Sequence, residues 1–223
     1  MTALRIVAVN AGLSEPSSTR LLVDRMVAAV TEGLGVGRAD VEIVDVRDLA
    51  ADLGQAMTVG FASGRARAAL DAVEGADALI VATPVFNASY SGLFKMFFDL
   101  VDIDAMSGKP VLIGATGGSP RHSMVLDHAL RPLFAYLRAV VLPTGVYAAS
   151  ADWAGAGGDT ASLNDRIGRA AAALVSLLGP RGGTGPGNAG GNGEPPRAPV
   201  ADGRQQAVEA AGIANFARLL GTA

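Results

Sequence analysis

Five short apolar runs recur along this chain, each separated from the next by a longer segment with helical spacing. The runs are Leu4–Val9, Val41–Val46, Ala78–Ala82, Val111–Ala115 and Val140–Leu142, with Val146–Ala148 continuing the last. Segments near 18–34, 65–75, 92–102, 122–138 and 161–178 carry the helical pattern between them. The runs are continuous rather than alternating, as expected of strands covered on both faces. A β-α-β-α rhythm of this kind builds a doubly wound parallel sheet with helices on both sides.

Five strands with five helices is the count of a flavodoxin-like α/β fold, with an expected strand order of 2-1-3-4-5. The pattern places that domain at residues 1–179. From Pro180 to Pro199 the chain holds seven Gly and five Pro. Such a stretch buries too little surface to offset its ordering entropy, so 180–203 reads as a flexible linker. The segment 204–223 then reads as an amphipathic helix, with Val208, Ile213, Phe216, Leu219 and Leu220 roughly on one face.

Composition excludes several chemistries. There is no cysteine, so disulfides and thiolate catalysis drop out. A net charge of −3 is too small to imply a nucleic-acid partner. The apolar stretches are too short for a signal peptide or a membrane span, so a soluble, cytoplasmic protein is expected. His122 and His128 are six apart and do not share a helix face, so no metal site is expected. Gly185–Gly190 matches G-x-G-x-x-G as letters but follows no strand, so it fails as a dinucleotide fingerprint.

Ligands of open α/β sheets bind at the carboxyl ends of the strands, and three loops there carry suggestive side chains. After the first run comes Asn10-Ala11-Gly12-Leu13-Ser14-Glu15-Pro16-Ser17-Ser18-Thr19-Arg20, with four hydroxyls and an arginine at a helix entrance. The unpaired N–H groups and positive dipole end of a first helical turn suit a phosphate. After the third run comes Thr83-Pro84-Val85-Phe86-Asn87-Ala88-Ser89-Tyr90-Ser91-Gly92. Pro84 stiffens it, Phe86 and Tyr90 offer flat surface, and Asn87 both donates and accepts, as the edge of a heterocycle requires. After the fourth run, Thr116-Gly117-Gly118-Ser119-Pro120-Arg121-His122 lets backbone approach a ligand closely. Trp153 reads as a packing or contact residue in a surface loop.

On these three motifs the chain resembles the NAD(P)H-dependent FMN reductases of flavodoxin-like fold, and most of all the subgroup that supplies reduced flavin to luciferase-like monooxygenases. The resemblance spans roughly residues 4–178. It implies that Ser14, Ser17, Ser18, Thr19 and Arg20 surround the FMN phosphate. Pro84, Val85, Phe86 and Asn87 would hold the isoalloxazine, and Thr116, Gly117, Gly118 and Ser119 its other edge. Phe86 stands where that motif often carries tyrosine. The implied reaction is hydride transfer from NADPH or NADH to FMN, with a flavin-dependent monooxygenase as partner and a homodimer or homotetramer as assembly. Because the flavin carries the chemistry, no side chain is assigned as catalytic. A 2′-phosphate would need a placed cation, for which Arg121 and Lys95 are the candidates. Two alternatives stand beside this: a flavin-bound quinone or azo reductase, and a flavodoxin-type electron carrier.

Overall fold

Strand β1 (Leu4–Asn10) lies at the centre of one half of the sheet, between β2 (Ala39–Asp45) and β3 (Ala78–Phe86), parallel to both. The computed structural model describes residues 3–153 and 160–179, all within a unit that spans Met1–Gly182. The expected linker at 180–203 and terminal helix at 204–223 lie outside the described residues.

On the far side of β3, β5 (Pro110–Gly117) pairs in parallel, and the outer edge of β5 takes both β6 (Val140–Val141) and β7 (Val146–Ala149). A two-residue strand, β4 (Ser89–Tyr90), folds back antiparallel on β3. The sheet therefore has seven strands, ordered β2-β1-β3-β5-β6 with β4 and β7 off that path, and not five in the order 2-1-3-4-5. Both extra strands have local causes. Asn87 and Ala88 take φ of 47° and 65°, closing a two-residue hairpin that turns the end of the third run into β3 and β4. The edge run is split at Leu142–Pro143, since proline donates no ladder hydrogen bond. Arg131 caps the break, donating to the carbonyls of Leu142 at 2.9 Å and Pro143 at 3.0 Å.

Alternation along each strand sends side chains to two separate cores. Ile6, Ala8, Ile80 and Leu112 pack against α1 (Ser18–Leu34) and α7 (Thr160–Leu178). Val7, Val9, Leu79, Val81 and Ile113 pack against the opposite layer, formed by α2 (Ala50–Val59), α3 (Gly64–Glu74), α4 (Gly92–Asp99), α5 (Ile103–Met106) and α6 (Arg131–Tyr136). Phe94, Phe97 and Phe98 are buried there, in one aromatic cluster with Phe134.

Three helices differ from expectation. Helix α2 appears where no helical segment is expected, extending a 3₁₀ turn at Val46–Leu49. The expected 92–102 helix stops at Asp99, and α5 restarts under a cap in which Asp102 Oδ1 accepts from the Asp104 N–H at 2.9 Å. The expected 122–138 helix is a 3₁₀ turn (Pro120–Met124), a π-helical turn (Leu126–Leu130) and then α6. No helix among the described residues is long and apolar enough to cross a membrane.

Candidate functional site

The parallel register lines up the carboxyl ends of the central strands: Asn10 stands beside Asp45 and Ala82, and Pro84 beside Thr116. Across these ends runs a cleft of about 890 Å³. That is a volume of the size that takes a cofactor or drug-sized ligand.

One end of the cleft is the entrance to α1. Ser17 caps the helix, its Oγ accepting from the Arg20 N–H at 3.1 Å. Gly12 makes room for that hydroxyl, because a Cβ there would lie 2.0 Å from Ser17 Oγ. The Gly12 N–H donates to Asn10 Oδ1 at 3.0 Å, and Ser14 Oγ donates to the Pro16 carbonyl at 3.1 Å. The N–H groups of the first turn have no partner within the helix. Ser14, Ser17, Ser18 and Arg20 line the cleft, so this end can take an anion.

The arginine is already engaged. Its Nε donates to Asp24 Oδ1 at 2.8 Å and a terminal nitrogen donates to Asp45 Oδ2 at 2.6 Å. These bonds, that to Asp24 first, hold the guanidinium above its ordinary pKa. Asp45 Oδ1 in turn accepts from Asn10 Nδ2 at 2.7 Å. Arg47 pairs with Glu15 at 2.7 Å on the same rim.

The middle wall is the β3–β4 hairpin. Thr83, fully buried, sets it: its Oγ accepts from the Ser91 N–H at 3.0 Å and donates to the Pro84 carbonyl at 3.0 Å. Ser91 then caps α4, accepting from the Phe94 N–H at 3.2 Å. Pro84, Val85 and Phe86 line the cleft, with Phe86 48% exposed and its ring face available. Asn87 is exposed at the hairpin apex, outside the lining.

The far wall is the turn after β5. Thr116, Gly117 and Gly118 line the cleft, and a Cβ on Gly118 would meet nothing within 4 Å, leaving open space for a ligand. Ser119 lies outside the lining; its carbonyl accepts from Tyr147 Oη at 2.6 Å, and its Oγ from the Arg121 N–H at 3.3 Å. Burial, and then the nearby Asp152 carboxylate, push the Tyr147 phenol above its ordinary pKa. Thr19 is also outside the lining, buried, with Oγ1 2.7 Å from Thr116 Oγ1. It ties the first wall to the third.

Sequence reasoning missed part of the cleft. Asp45 and Arg47 enter it from the end of β2, and Ser150 and Trp153 from the turn after β7. The charged ends of the second run were a usable signal, because β2 adjoins β1. For Trp153 there was none, since the last run was broken. Arg25 lies over the Trp153 ring at 5.1 Å, and Asp152 anchors the turn by accepting from the Ala149 N–H at 2.7 Å and pairing with Arg166 at 2.6 Å.

Sheet and cleft define an α/β protein of flavodoxin-like fold; flavodoxin 1 of Bacillus cereus superposes with a TM-score of 0.51 at 17% identity, covering 77% of this chain and 97% of that one. The chain belongs to the NADPH-dependent FMN reductase family, whose model matches residues 4–154. It is 41% identical over 177 residues to an FMN reductase (NADPH) of Pseudomonas aeruginosa, covering 79% of this chain and 94% of the relative. It is 42% identical over 176 residues to the NADH-dependent FMN reductase SfnF of Pseudomonas fluorescens, covering 79% and 92%. An oxidoreductase from Corynebacterium diphtheriae superposes with a TM-score of 0.75 at 48% identity, covering 80% of this chain and 98% of that one.

Proposed function

We propose that this protein is an NAD(P)H-dependent FMN reductase that passes reduced FMN to a flavin-dependent monooxygenase of the luciferase-like kind. The observation that carries the reading is the convergence of three walls on one cleft: the hydroxyl-rich entrance to α1, the β3–β4 hairpin and the Gly117-Gly118 turn. Family membership and the FMN reductases among the relatives support it.

A bound FMN would supply the redox chemistry, a hydride from the nicotinamide and one proton giving the reduced flavin. The chain's own part is positioning. Ser14, Ser17, Ser18 and the first-turn N–H groups of α1 hold the phosphate. Pro84, Val85 and Phe86 would form a stiff wall along the ring, with the Thr83 hydroxyl bonded to both ends of the hairpin. Gly117 and Gly118 bring backbone to the opposite edge, and Thr19 holds Thr116 in place behind them. Asn87 and Ser119 act through the backbone turns they build. No side chain of the cleft need move a proton at the ring.

The test is a spectral titration with FMN, followed by steady-state oxidation of NADPH and of NADH with free FMN in excess. Perturbed flavin absorbance and turnover of free FMN are expected. A protein that binds no flavin refutes the reading. One that reduces a quinone or azo dye but not free FMN is a flavin-bound reductase instead.

A further inference from the structure

At the α1 end of the cleft carboxylates outnumber cations. The cleft is lined by two cations, Arg20 and Arg47, and by three carboxylates, Glu15, Asp24 and Asp45. Each cation is paired: Arg20 with Asp24 and Asp45, Arg47 with Glu15. A phosphate arriving at α1 therefore meets a lining with one negative charge in excess, and an arginine whose charge is already met twice.

The clamp is built into the fold. Asp45 ends β2 directly beside Asn10, and the side chain of Asn10, 4% exposed, donates to one Asp45 oxygen while Arg20 donates to the other. Asn10 is itself oriented by the Gly12 N–H. Asp24 sits one helical turn after Arg20, at the i,i+4 spacing that brings the two side chains together.

We infer that Asp24 and Asp45 weaken the hold on the flavin phosphate and so set how readily FMN leaves the site. This rests on the function proposed above. Like charges oppose each other even across partly exposed distances. What then holds the phosphate is the neutral part of the site, the N–H groups and hydroxyls at the α1 entrance. An enzyme whose product must leave for another protein gains from that balance, because release and affinity trade directly.

The opposite role is that the two carboxylates orient Arg20 for the phosphate. The sign of one measurement separates the two. Flavin binding is titrated by fluorescence with FMN and with riboflavin, which lacks the phosphate, for the wild-type protein, Asp45→Asn and Asp24→Asn. Each substitution is expected to tighten FMN binding about three- to tenfold, the size expected of one charge removed from a partly exposed site. Riboflavin affinity should stay as in the wild type. FMN binding that is unchanged or weaker in the variants overturns the inference, as does equal tightening for riboflavin. Asp24 is exposed on a helix surface, so its variant decides the question if Asp45→Asn fails to fold. A wild-type protein that binds neither flavin refutes the proposed function itself, a result distinct from the others.

Discussion

Ala88 occupies a conformation that side chains avoid. With Asn87 at φ 47° and Ala88 at φ 65°, the hairpin takes the two-residue turn that Asn-Gly usually forms. Left-handed backbone costs a non-glycine residue about 1–2 kcal/mol. Ala88→Gly relieves this, offset in part by the greater freedom of glycine in the unfolded chain. A net gain of about 0.5–1 kcal/mol is expected, a rise of roughly 1–4 °C in the melting temperature for a domain of this size. A thermal melt that moves down would show that the methyl group makes a contact worth more than the strain. The same two residues show how an amino-acid type misleads. Asn87 suits both a heterocycle edge and a left-handed turn, and only backbone angles separate the two uses. Thr19 is alike: a hydroxyl at a helix entrance reads as a phosphate donor, yet its partner is Thr116, 97 residues away.

Elements with a strong period were legible. The apolar runs marked β1, β3 and β5, which are buried along most of their length, whereas β2, at the edge of the sheet, alternates instead, with Glu42 exposed between Val41 and Ile43. A strand of two residues has no period, so β4 had to come from turn chemistry; β6 and β7 fall within the last expected run, and only Pro143 marks the break between them. The third wall of the cleft was legible as paired glycines, but what fixes it was not. Tyr147 on β7 donates to Ser119, and its oxygen sits where a Cβ on Gly117 would lie, 2.4 Å away, while its Cζ would be 3.4 Å away. A coupled pair of substitutions follows. Gly117→Ala alone should cost more than 1 kcal/mol and weaken FMN binding, through overpacking against the phenol. Tyr147→Phe alone should cost about 1 kcal/mol for the lost hydrogen bond. The double variant should cost clearly less than the sum, because the ring without its hydroxyl leaves ordinary contact distance to the new methyl. Urea unfolding of the four proteins measures this coupling. Strict additivity would mean that the Tyr147 hydroxyl is not what the glycine accommodates.

At the scale of the whole molecule, the two cores are joined by a sheet whose strands need partners beyond its own ladder, and Lys109 supplies one. It is buried just before β5, and its Nζ donates to the carbonyls of Val73 and Glu74, both at 2.8 Å, at the end of α3. A cation at a helix carboxyl end is well placed for the helix dipole. Burial nonetheless pushes the ammonium below its ordinary pKa, against the opposing pull of Asp77 and Glu74. The sign of the pH dependence follows. Lys109 loses its proton in the folded protein at a lower pH than in the unfolded chain, where it titrates near 10.4. Between those two values the unfolded state binds more protons, so stability rises with pH there. That contribution is complete above the unfolded value and is lost as pH falls through the folded one. A neutral amine keeps two N–H groups, enough for both carbonyls. Lys109→Met removes both bonds and should cost about 1–3 kcal/mol at pH 7. The gap between wild type and variant should widen as the pH is raised from 7 toward 10.5. The chain suits this measurement because Lys95 is its only other lysine and it has three tyrosines, all shared by both proteins and cancelling in the difference. Denaturant unfolding at pH 7, 9 and 10.5 gives the result. A gap that narrows with pH would mean that the Lys109 charge, and not its hydrogen bonds, is what joins α3 to the sheet.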